Sequence, residues 1–295
     1  MRSGSFKWGW LNVAGVRGSL EEIDQFMDDH NFSFLILGET WLKPMDPLRH
    51  PSITFDLRFP TRNPLEGRGI HGLMVVRNTK LTDASDFEEM ERDTDNHSYI
   101  WFRFHGMVFG GFYLPPSMEL ATCIECLQSA SRHLTTWDNG EPVFLVGDLN
   151  IRLGPITGDL ITNLRSNIRY TLQELGLSWI RPETGKWTVC TARGRSIVDY
   201  IFANQKASKL VSNTMVWEDD FIAGSDHRLV SCDTEYQHIS TLKVRQDSGK
   251  SVLPNSICRI RGKDLKIAIY VLQQIESSKK AGGVQRKQLL QNSVP

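Results

Sequence analysis

The sequence predicts an α+β fold, an α/β sandwich in which two packed mixed β-sheets are flanked by helices. Helical patterns alternate with many short strand-like segments, and several of these segments are adjacent, as in antiparallel pairs. Two continuous apolar runs, residues 32–38 and 142–147, have the length of strands that are buried on both faces. The 295 residues, of which 40% are apolar, are enough for one large or two small domains.

The first helix is predicted at residues 19–30. Ser19 stands at the N-cap position and Glu22 follows three residues later, which is the pattern of a capping box. Ile23 and Met27 then recur at helical spacing. The apolar run FSFLILG follows directly and is too short for most helices, so it is interpreted as a buried strand.

The remaining elements are mostly strands. Strands are predicted at residues 70–76, 99–104, 108–113, 142–147, 186–190, 197–202, 211–217 and 229–236, and further helices at residues 118–137 and 167–175. Pro115 and Pro116 end the strand at 108–113 because proline cannot donate to a sheet ladder. After about residue 240 the pattern loosens, with one more helical stretch at 263–277.

The charges of the two ends of the chain are opposed. The chain has 34 Lys+Arg and 34 Asp+Glu, and residues 241–295 contain 11 of the basic and 3 of the acidic residues. We therefore predict an acidic domain over residues 1–240 and a basic tail or linker, partly helical or disordered, over residues 241–295. The tail either supplies affinity for phosphates or is a solvated linker.

Cysteine usage predicts a reducing, intracellular compartment. The five cysteines are an odd number scattered over a long chain, unlike a disulfide framework. Cys123 and Cys126 form a CxxC pattern without a second pair at zinc spacing, so they are interpreted as packing residues on a helix. The tryptophans Trp8, Trp10 and Trp101 are interpreted as core aromatics. The sequence has no run of about 18 consecutive apolar residues, so no membrane partner is predicted. The opening residues do not resemble a secretory signal.

Polar side chains with catalytic potential follow or interrupt the apolar segments. They are Glu39, Asp148, Asn150, Asp199, Asp226 and His227. Burying such groups is costly unless they are paired or bind a metal. Gathered at one end of a sheet, their oxygens would suit Mg²⁺ or Mn²⁺ better than zinc. Taken singly, each residue type more often has a structural role, with Glu39 as a surface cap, Asp148 as a turn former and His227 as a core histidine.

Seven segments, read in order, resemble the endonuclease/exonuclease/phosphatase superfamily. They are LNVAG at 11–15, GETW at 38–41, GIHGLMVV at 69–76, GFYLPP at 111–116, GDLNIRLG at 147–154, SIVDYIFA at 196–203 and GSDHRLV at 224–230. GDLNIRLG followed by SIVDYIFA most resembles the apurinic-like endonuclease domain of non-LTR retrotransposons. The resemblance covers about residues 6–236 and implies a deoxyribonuclease-like four-layer fold.

The resemblance also implies roles for individual residues. It makes Glu39 the principal metal ligand, with Asn12 beside it and Asp226 near the same ion. Asp148 becomes the proton acceptor for the attacking water, and His227, oriented by Asp199, lies against the phosphate. The residues implied to contact or support the phosphate are Asn12, Tyr113, Asn150, Thr188 and Ser225. The chain departs from many relatives at Ala14, where they have Asp or Asn.

The function implied by the resemblance is that of a Mg²⁺-dependent endonuclease that nicks DNA for a mobile element. Its partners would be DNA and a reverse transcriptase absent from these residues, and its location the nucleus. Two alternatives remain. One is a phosphomonoesterase of the same superfamily acting on inositol phosphates or lipids. The other is an inactive remnant of a mobile element. Ala14 mildly favours this alternative, whereas the intact set of acidic residues with His227 argues against it.

Overall fold

Two six-stranded sheets form the centre of the chain in a computed structural model. The structure describes residues 3–59, 69–136, 141–153, 168–192, 194–218 and 222–237. The helices are α1 Leu20–Asp29, α2 Leu120–Thr136, α3 Ile168–Glu174 and α4 Gln205–Ser208. The strands are β1 Ser3–Asn12, β2 Phe32–Gly38, β3 Ile53–Leu57, β4 Leu73–Arg77, β5 Phe87–Arg92, β6 Tyr99–Phe104, β7 Met107–Tyr113, β8 Val143–Asp148, β9 Ser178–Trp179, β10 Val189–Thr191, β11 Gly194–Ser196, β12 Asp199–Ala203, β13 Val211–Val216 and β14 Val230–Gln237.

Both large sheets are mixed. The first has the strand order β13-β14-β1-β2-β4-β3, and the second has the order β5-β6-β7-β8-β12-β9. In the first sheet β1 runs parallel to β2, and in the second β7 runs parallel to β8, whereas the other pairs are antiparallel. The strands β10 and β11 form a separate short hairpin. The carboxyl ends of β1 and β2, and those of β7 and β8, therefore form one edge in each sheet.

The main core lies between the two sheets. Phe34 of β2 and Trp8 of β1 share a buried cluster with Phe102, Phe109 and Phe144 of the second sheet. Each of these side chains is 0% exposed, and their rings meet in stacked and edge-to-face pairs, such as Trp8 with Phe34 and Phe34 with Phe109.

Helices cover the outer faces of the two sheets. Leu20, Ile23 and Met27 of α1 pack on the outer face of the first sheet, and residues of α2 and α3 such as Leu127 and Leu172 pack on that of the second. The predicted arrangement of two packed mixed sheets flanked by helices is confirmed. The apolar run of β2 is continuous because alternate side chains enter the inter-sheet core and the core under α1.

Most of the predicted elements are present with small changes in their bounds. The strands predicted at 32–38 and 99–104 match β2 and β6, and the helices at 19–30 and 118–137 match α1 and α2. Ser19 precedes α1 as predicted, but the predicted capping box is wrong. Its hydroxyl donates to the carbonyls of Gly15 and Val16 instead of accepting from the helix.

Five strands were not predicted, and two were predicted too long. The missed strands are β1, β3, β5, β9 and β11, and the short helix α4 was not predicted either. The strand β1 is central, but its serines, glycines and Lys7 obscure the apolar alternation that would predict it. The strand β5 is an edge strand, and its glutamates do not fit the pattern of a buried strand. The strand predicted at 70–76 begins only at Leu73, because His71 and Gly72 adopt positive φ. The strand predicted at 186–190 is reduced to β10.

The cysteines of the CxxC pattern are packing residues, as predicted. Cys123 and Cys126 lie on α2, buried within the apolar cluster under the helices. Trp8, Trp10 and Trp101 are buried as predicted. Within the described residues, no helix is both long and apolar enough to span a membrane. The predicted boundary near residue 240, the helix at 263–277 and the basic tail lie outside the described residues, and these predictions stay untested.

Gly147, one residue before the end of β8, allows the close contact between β7 and β8. A Cβ atom at this position would stand 1.8 Å from the carbonyl oxygen of Phe112, its partner across the two strands. We expect Gly147→Ala to lower the free energy of unfolding by about 3 kcal/mol, because neither backbone can withdraw without breaking the ladder. Urea denaturation monitored by tryptophan fluorescence measures this change.

The control is Gly176→Ala. Gly176 has φ +71° with nothing within 4 Å of the added methyl group, so only the left-handed backbone conformation is penalised, at about 1 kcal/mol. Equal losses of stability in the two variants would contradict the account of how β7 packs on β8.

Candidate active site at the carboxyl edge of the sheets

The predicted site residues converge because several strands end at the same edge of the sandwich. Asn12 ends β1 and is paired with Gly38, the last residue of β2, so that Glu39 follows directly beyond it. In the second sheet, Tyr113 ends β7 opposite Asp148, which ends β8. The antiparallel strand β12 begins there with Asp199, also opposite Asp148.

Asn12 joins the acidic groups of the two sheets. Its Nδ2 donates to Oε1 of Glu39 at 3.0 Å and to Oδ2 of Asp148 at 3.2 Å, and its Oδ1 accepts from the backbone N–H of Ala14 at 3.2 Å. The side chain thus presents its nitrogen, not an oxygen ligand, to the carboxylates. In this geometry Asn12 is a hydrogen-bond donor between Glu39 and Asp148, and its role as a metal ligand stays a prediction.

His227 lies between two buried carboxylates. Its Nδ1 is 2.9 Å from Oδ2 of Asp199 and its Nε2 is 4.0 Å from Oδ2 of Asp148. Burial disfavours the charged imidazolium, but the negative charge of Asp199 and its hydrogen bond outweigh burial and raise the pKa of His227 to about 10. Burial and the charge of Asp199 also raise the pKa of Asp148 above its usual range.

Asp199 is the most firmly held carboxylate of the site. Its side chain is 0% exposed. Oδ1 accepts from the indole Nε1 of Trp10 at 2.8 Å, while Oδ2 faces His227. Its backbone N–H and that of Val198 donate to the hydroxyl of Thr188 at 3.2 and 3.0 Å. The start of β12 is therefore fixed both at its backbone and at its side chain.

Thr188 and Ser225 support the site from behind. Both side chains are buried. The Ser225 hydroxyl donates to the backbone oxygen of Asn12 and accepts from the backbone N–H of His227. Of the two roles that the resemblance implied for this pair, these hydrogen bonds are those of support for the loop and for β12, and contact with a phosphate stays a prediction.

Tyr113 and Asn150 lie beside the carboxylates, and their contacts with a phosphate stay a prediction. The Tyr113 hydroxyl is hydrogen-bonded to Glu39, and burial together with the nearby charge of Glu39 raises the pKa of Tyr113 well above its usual value. Asn150 donates its backbone N–H to Oδ1 of Asp148 at 2.9 Å and its side-chain amide to the carbonyl of Leu114 at 3.1 Å. Tyr113 therefore remains a neutral hydrogen-bond donor at neutral pH.

Asp226 differs from the other predicted ligands. Its side chain is exposed, and its backbone oxygen accepts from Cys190. Its charge contributes to the raised pKa of His227, after the contributions of Asp199 and Asp148. Asp226 is thus at the rim of the site, and the described structure does not bring it into the group that contains Asp148.

The donor set fits a hard divalent cation. Among the described residues, ligand atoms of Asp148, Asp199 and His227 lie within 4.8 Å of one another. Glu39, which is only half-buried, adjoins this group through its shared donor Asn12. Several carboxylates meeting with one imidazole leave negative charge that a cation would balance, and carboxylate oxygens are preferred ligands of Mg²⁺.

Strained backbone is concentrated in the segments that carry the site. Glu39 and Asn150 have φ of +51° and +48°, and Ala14 has φ of +47°. Trp41 and His71, on the loops next to Glu39, are also left-handed, at +52° and +54°. Non-glycine residues adopt this conformation at a cost, and such costs are often found at functional sites.

Two clefts flank Glu39. A cavity of about 460 Å³ is lined by Ala14, Gly15, Arg17, Thr40, Trp41, Lys43, Asp46 and Gly69. On the side of Tyr113, a cavity of about 290 Å³ is lined by Phe59, His71, Asp95, Asn96, His97, Ser98, Tyr113, Pro115, Ser117, Met118, Glu119 and Thr122. The first contains Lys43 and the ion pair of Arg17 with Asp46, and the second contains several rings together with Asp95 and Glu119.

Sequence reasoning missed Trp10 and His71 as members of the site. Trp10 precedes Asn12 by two residues, so the alternation of a strand places both side chains on one face of β1. This spacing would have indicated Trp10 as a site residue if β1 had been predicted. The His71 ring lies 5.3 Å from the Tyr113 ring. Burial lowers the pKa of His71, which stays neutral. No periodic pattern marks the GIHG loop that carries it.

The two-sheet sandwich with polar residues at one edge defines a deoxyribonuclease-like fold. The profile of the Endonuclease/Exonuclease/phosphatase family matches residues 9–227, and the chain belongs to this family. No curated protein matches the sequence.

Solved structures with the same fold include three nucleic-acid enzymes. The endonuclease domain of TRAS1, a telomere-specific non-LTR retrotransposon, is 15% identical with a TM-score of 0.59 over 78% of this chain and 98% of its own. An AP endonuclease from Archaeoglobus fulgidus is 15% identical with a TM-score of 0.59, covering 77% and 98%. The 3′ phosphatase NExo from Neisseria, bound to product DNA hairpin, is 14% identical with a TM-score of 0.58, covering 78% and 99%.

Proposed function

We propose that this protein is a Mg²⁺-dependent phosphodiesterase that nicks DNA, as the endonuclease of a non-LTR retrotransposon. The observation that carries the proposal is the His227–Asp199 pair beside Asp148, with His227 Nδ1 2.9 Å from Asp199 and Nε2 4.0 Å from Asp148. A carboxylate of raised pKa next to an oriented imidazole is the combination that general base catalysis at neutral pH requires.

Each residue then has a definite task. Asp148 accepts the proton of the attacking water, which its raised pKa favours. His227, held by Asp199, places its positive charge beside the scissile phosphate. The Asn150 amide has a second N–H at the same edge, and the Tyr113 hydroxyl, which is hydrogen-bonded to Glu39, would turn to the phosphate when substrate binds. Such oriented donors stabilise the charge that develops on the phosphate oxygens in the transition state.

Glu39 would hold the divalent cation, with Asp148 as its neighbour across the Asn12 bridge. When bound, Mg²⁺ supplies Lewis-acid stabilisation of the phosphate and of the departing oxygen. The carboxylates among the proposed site residues and the half-buried position of Glu39 support magnesium over zinc. Zinc favours sulfur and nitrogen ligands.

DNA as the substrate is supported by the clefts on both sides of Glu39. Lys43 and the ion pair of Arg17 with Asp46 line one of them, and the rings of Phe59 and Tyr113 line the other beside Asp95 and Glu119. The similar structures include an endonuclease of a retrotransposon and an enzyme bound to a DNA product. We further propose action in the nucleus, alongside a reverse transcriptase whose sequence is not among these residues.

The test is a comparison of substrates. Purified protein is incubated with supercoiled plasmid, with a 3′-phosphorylated oligonucleotide and with soluble inositol phosphates, each in Mg²⁺ and in EDTA. The proposal expects conversion of supercoiled to open-circular plasmid in Mg²⁺ alone. Release of inorganic phosphate without nicking would instead establish the phosphomonoesterase alternative, which the similar 3′ phosphatase favours. Inactivity on every substrate would establish the inactive remnant.

The basic tail gives a separate prediction. We propose that residues 241–295, with 11 Lys+Arg and 3 Asp+Glu, bind DNA phosphates. Deleting them is expected to weaken binding, raise KM and flatten the dependence of log affinity on log salt by about one unit of slope for each phosphate that is no longer neutralised. Turnover at saturating DNA should stay unchanged, because the proposed catalytic residues end at His227. Fluorescence anisotropy on a short duplex measures both slopes.

The comparison is made between the full chain and a chain ending at residue 240. Equal salt slopes would contradict a DNA-binding tail and leave it a linker.

A further inference from the structure

We infer that Trp10 is a positioning residue of the active site, whose indole N–H fixes the Asp199 carboxylate and through it the His227 ring. The inference rests on the proposed function of this site. Trp10 is 0% exposed, and its Nε1 donates to Oδ1 of Asp199 at 2.8 Å. The other oxygen of the same carboxylate, Oδ2, faces Nδ1 of His227 at 2.9 Å.

The indole bond decides the orientation of the carboxylate. The Asp199 side chain is 0% exposed, so bulk water does not replace a missing donor there. Thr188 holds the backbone of Asp199 but not its carboxylate. Without the indole N–H, Oδ1 is a buried acceptor that has no donor, and the carboxylate is free to rotate toward another one. Rotation would misdirect the hydrogen bond to His227.

The same indole lies against the segment that carries Glu39. A Cβ atom on Gly38 would stand 2.6 Å from the six-membered ring of Trp10. Gly38 is the last residue of β2 and directly precedes Glu39. One side chain of β1 therefore contacts both the support of the proposed metal ligand and the support of His227, across the two sheets.

Trp8 is a matched control on the same strand. It is also 0% exposed, and its Nε1 donates to a buried partner, the hydroxyl of Thr234, at 2.9 Å. Trp8→Phe and Trp10→Phe thus remove the same indole hydrogen bond and similar core volume. Only Trp10 contacts a residue of the proposed site. If Trp10 had only a structural role, Trp10→Phe and Trp8→Phe would change kcat and the His227 ring signal equally at the same folded fraction.

The experiment measures nicking kinetics and the His227 ring signals of the full chain. Trp10→Phe is expected to lower kcat about tenfold or more with KM within about twofold, as is typical for removal of an outer partner of a catalytic group. In spectra of ¹⁵N-histidine-labelled protein, the His227 Nδ1–H signal should broaden or move in Trp10→Phe. Trp8→Phe should keep both kcat and this signal. Equal effects of the two variants on kcat and on the signal would overturn the inference.

A double-mutant cycle tests whether Trp10 acts through Asp199. In the Asp199→Asn background, Trp10→Phe should lower kcat by less than about twofold further, because groups that act as a unit are not additive. Multiplicative losses of kcat would overturn the inference.

One readout needs neither activity nor a folded Trp10 variant. The Trp10 indole N–H resonance of the Asp199→Asn protein should move upfield from its wild-type position, and an unchanged resonance would overturn the inference. Absence of nicking by the wild-type protein would refute the proposed function alone, whereas the indole and imidazole signals still decide whether Trp10 holds Asp199.

Discussion

His227→Ala is expected to lower the rate of plasmid nicking by about 10²–10³-fold, the range found for removal of one group that stabilises charge in a transition state. The ring is held at 2.9 Å by Asp199 and lies 4.0 Å from Asp148, so its removal takes away the positive charge beside the phosphate. Asp199→Asn should cause a similar decrease, since the asparagine no longer provides the anion that raises the pKa of His227. Single-turnover nicking measures both.

The double variant of His227→Ala and Asp199→Asn shows whether the two residues act together or independently. If Asp199 works through His227, the double variant should be hardly slower than His227→Ala. His105→Ala is the control, because His105 stacks on Tyr236 in the turn before β7, at the opposite end of that strand from Tyr113. Fully multiplicative losses of rate would mean that Asp199 does not act through His227.

Glu39→Gln is expected to reduce Mg²⁺ affinity and to lower nicking at least about 10²-fold, because the variant lacks the anionic oxygen that binds the cation. The fold should stay intact. The glutamine has nearly the same volume, its amide oxygen still accepts from Asn12, and the half-buried side chain needs no new packing. Isothermal titration with Mg²⁺ and thermal unfolding measure the two effects separately.

Glu91→Gln is the matched control. Glu91 also accepts from a tyrosine, with Tyr99 Oη at 3.0 Å, but it stands on the edge strand β5. Glu91→Gln removes the same charge, and we expect it to leave nicking and Mg²⁺ binding unchanged. Near-wild-type nicking by Glu39→Gln would refute the assignment of Glu39 as the metal ligand.

The sequence predicted the parts of the fold whose apolar pattern is strong. The continuous runs of β2 and β8 identified two strands buried on both faces, and the polar residues at their ends, Glu39 and Asp148, lead directly to the site. The strand β1 was not predicted, because its glycines, serines and lysine obscure the alternation of Phe6, Trp8 and Trp10. Its central position comes from pairing with β2 and β14, which local sequence does not specify.

The site residues could be found by resemblance, but their hydrogen-bond partners could not. Whether an amide offers oxygen or nitrogen depends on the backbone around it, and the N–H of Ala14 takes the oxygen of Asn12. Likewise, Trp10 meets Asp199 from 189 residues away in the chain. Such pairs follow from the packing of one sheet on the other, so only the folded structure identifies them.

The most direct test of the central claim is nicking of supercoiled plasmid by wild-type protein and by Asp148→Asn, at equal concentration and in the presence of Mg²⁺. Asp148 is buried between Asn12, Asn150 and His227, and asparagine preserves its shape while removing the proton acceptor. The account predicts open-circular product with the wild-type protein, none in EDTA, and none with Asp148→Asn despite an unchanged circular dichroism spectrum. Nicking by folded Asp148→Asn at the wild-type rate would contradict it.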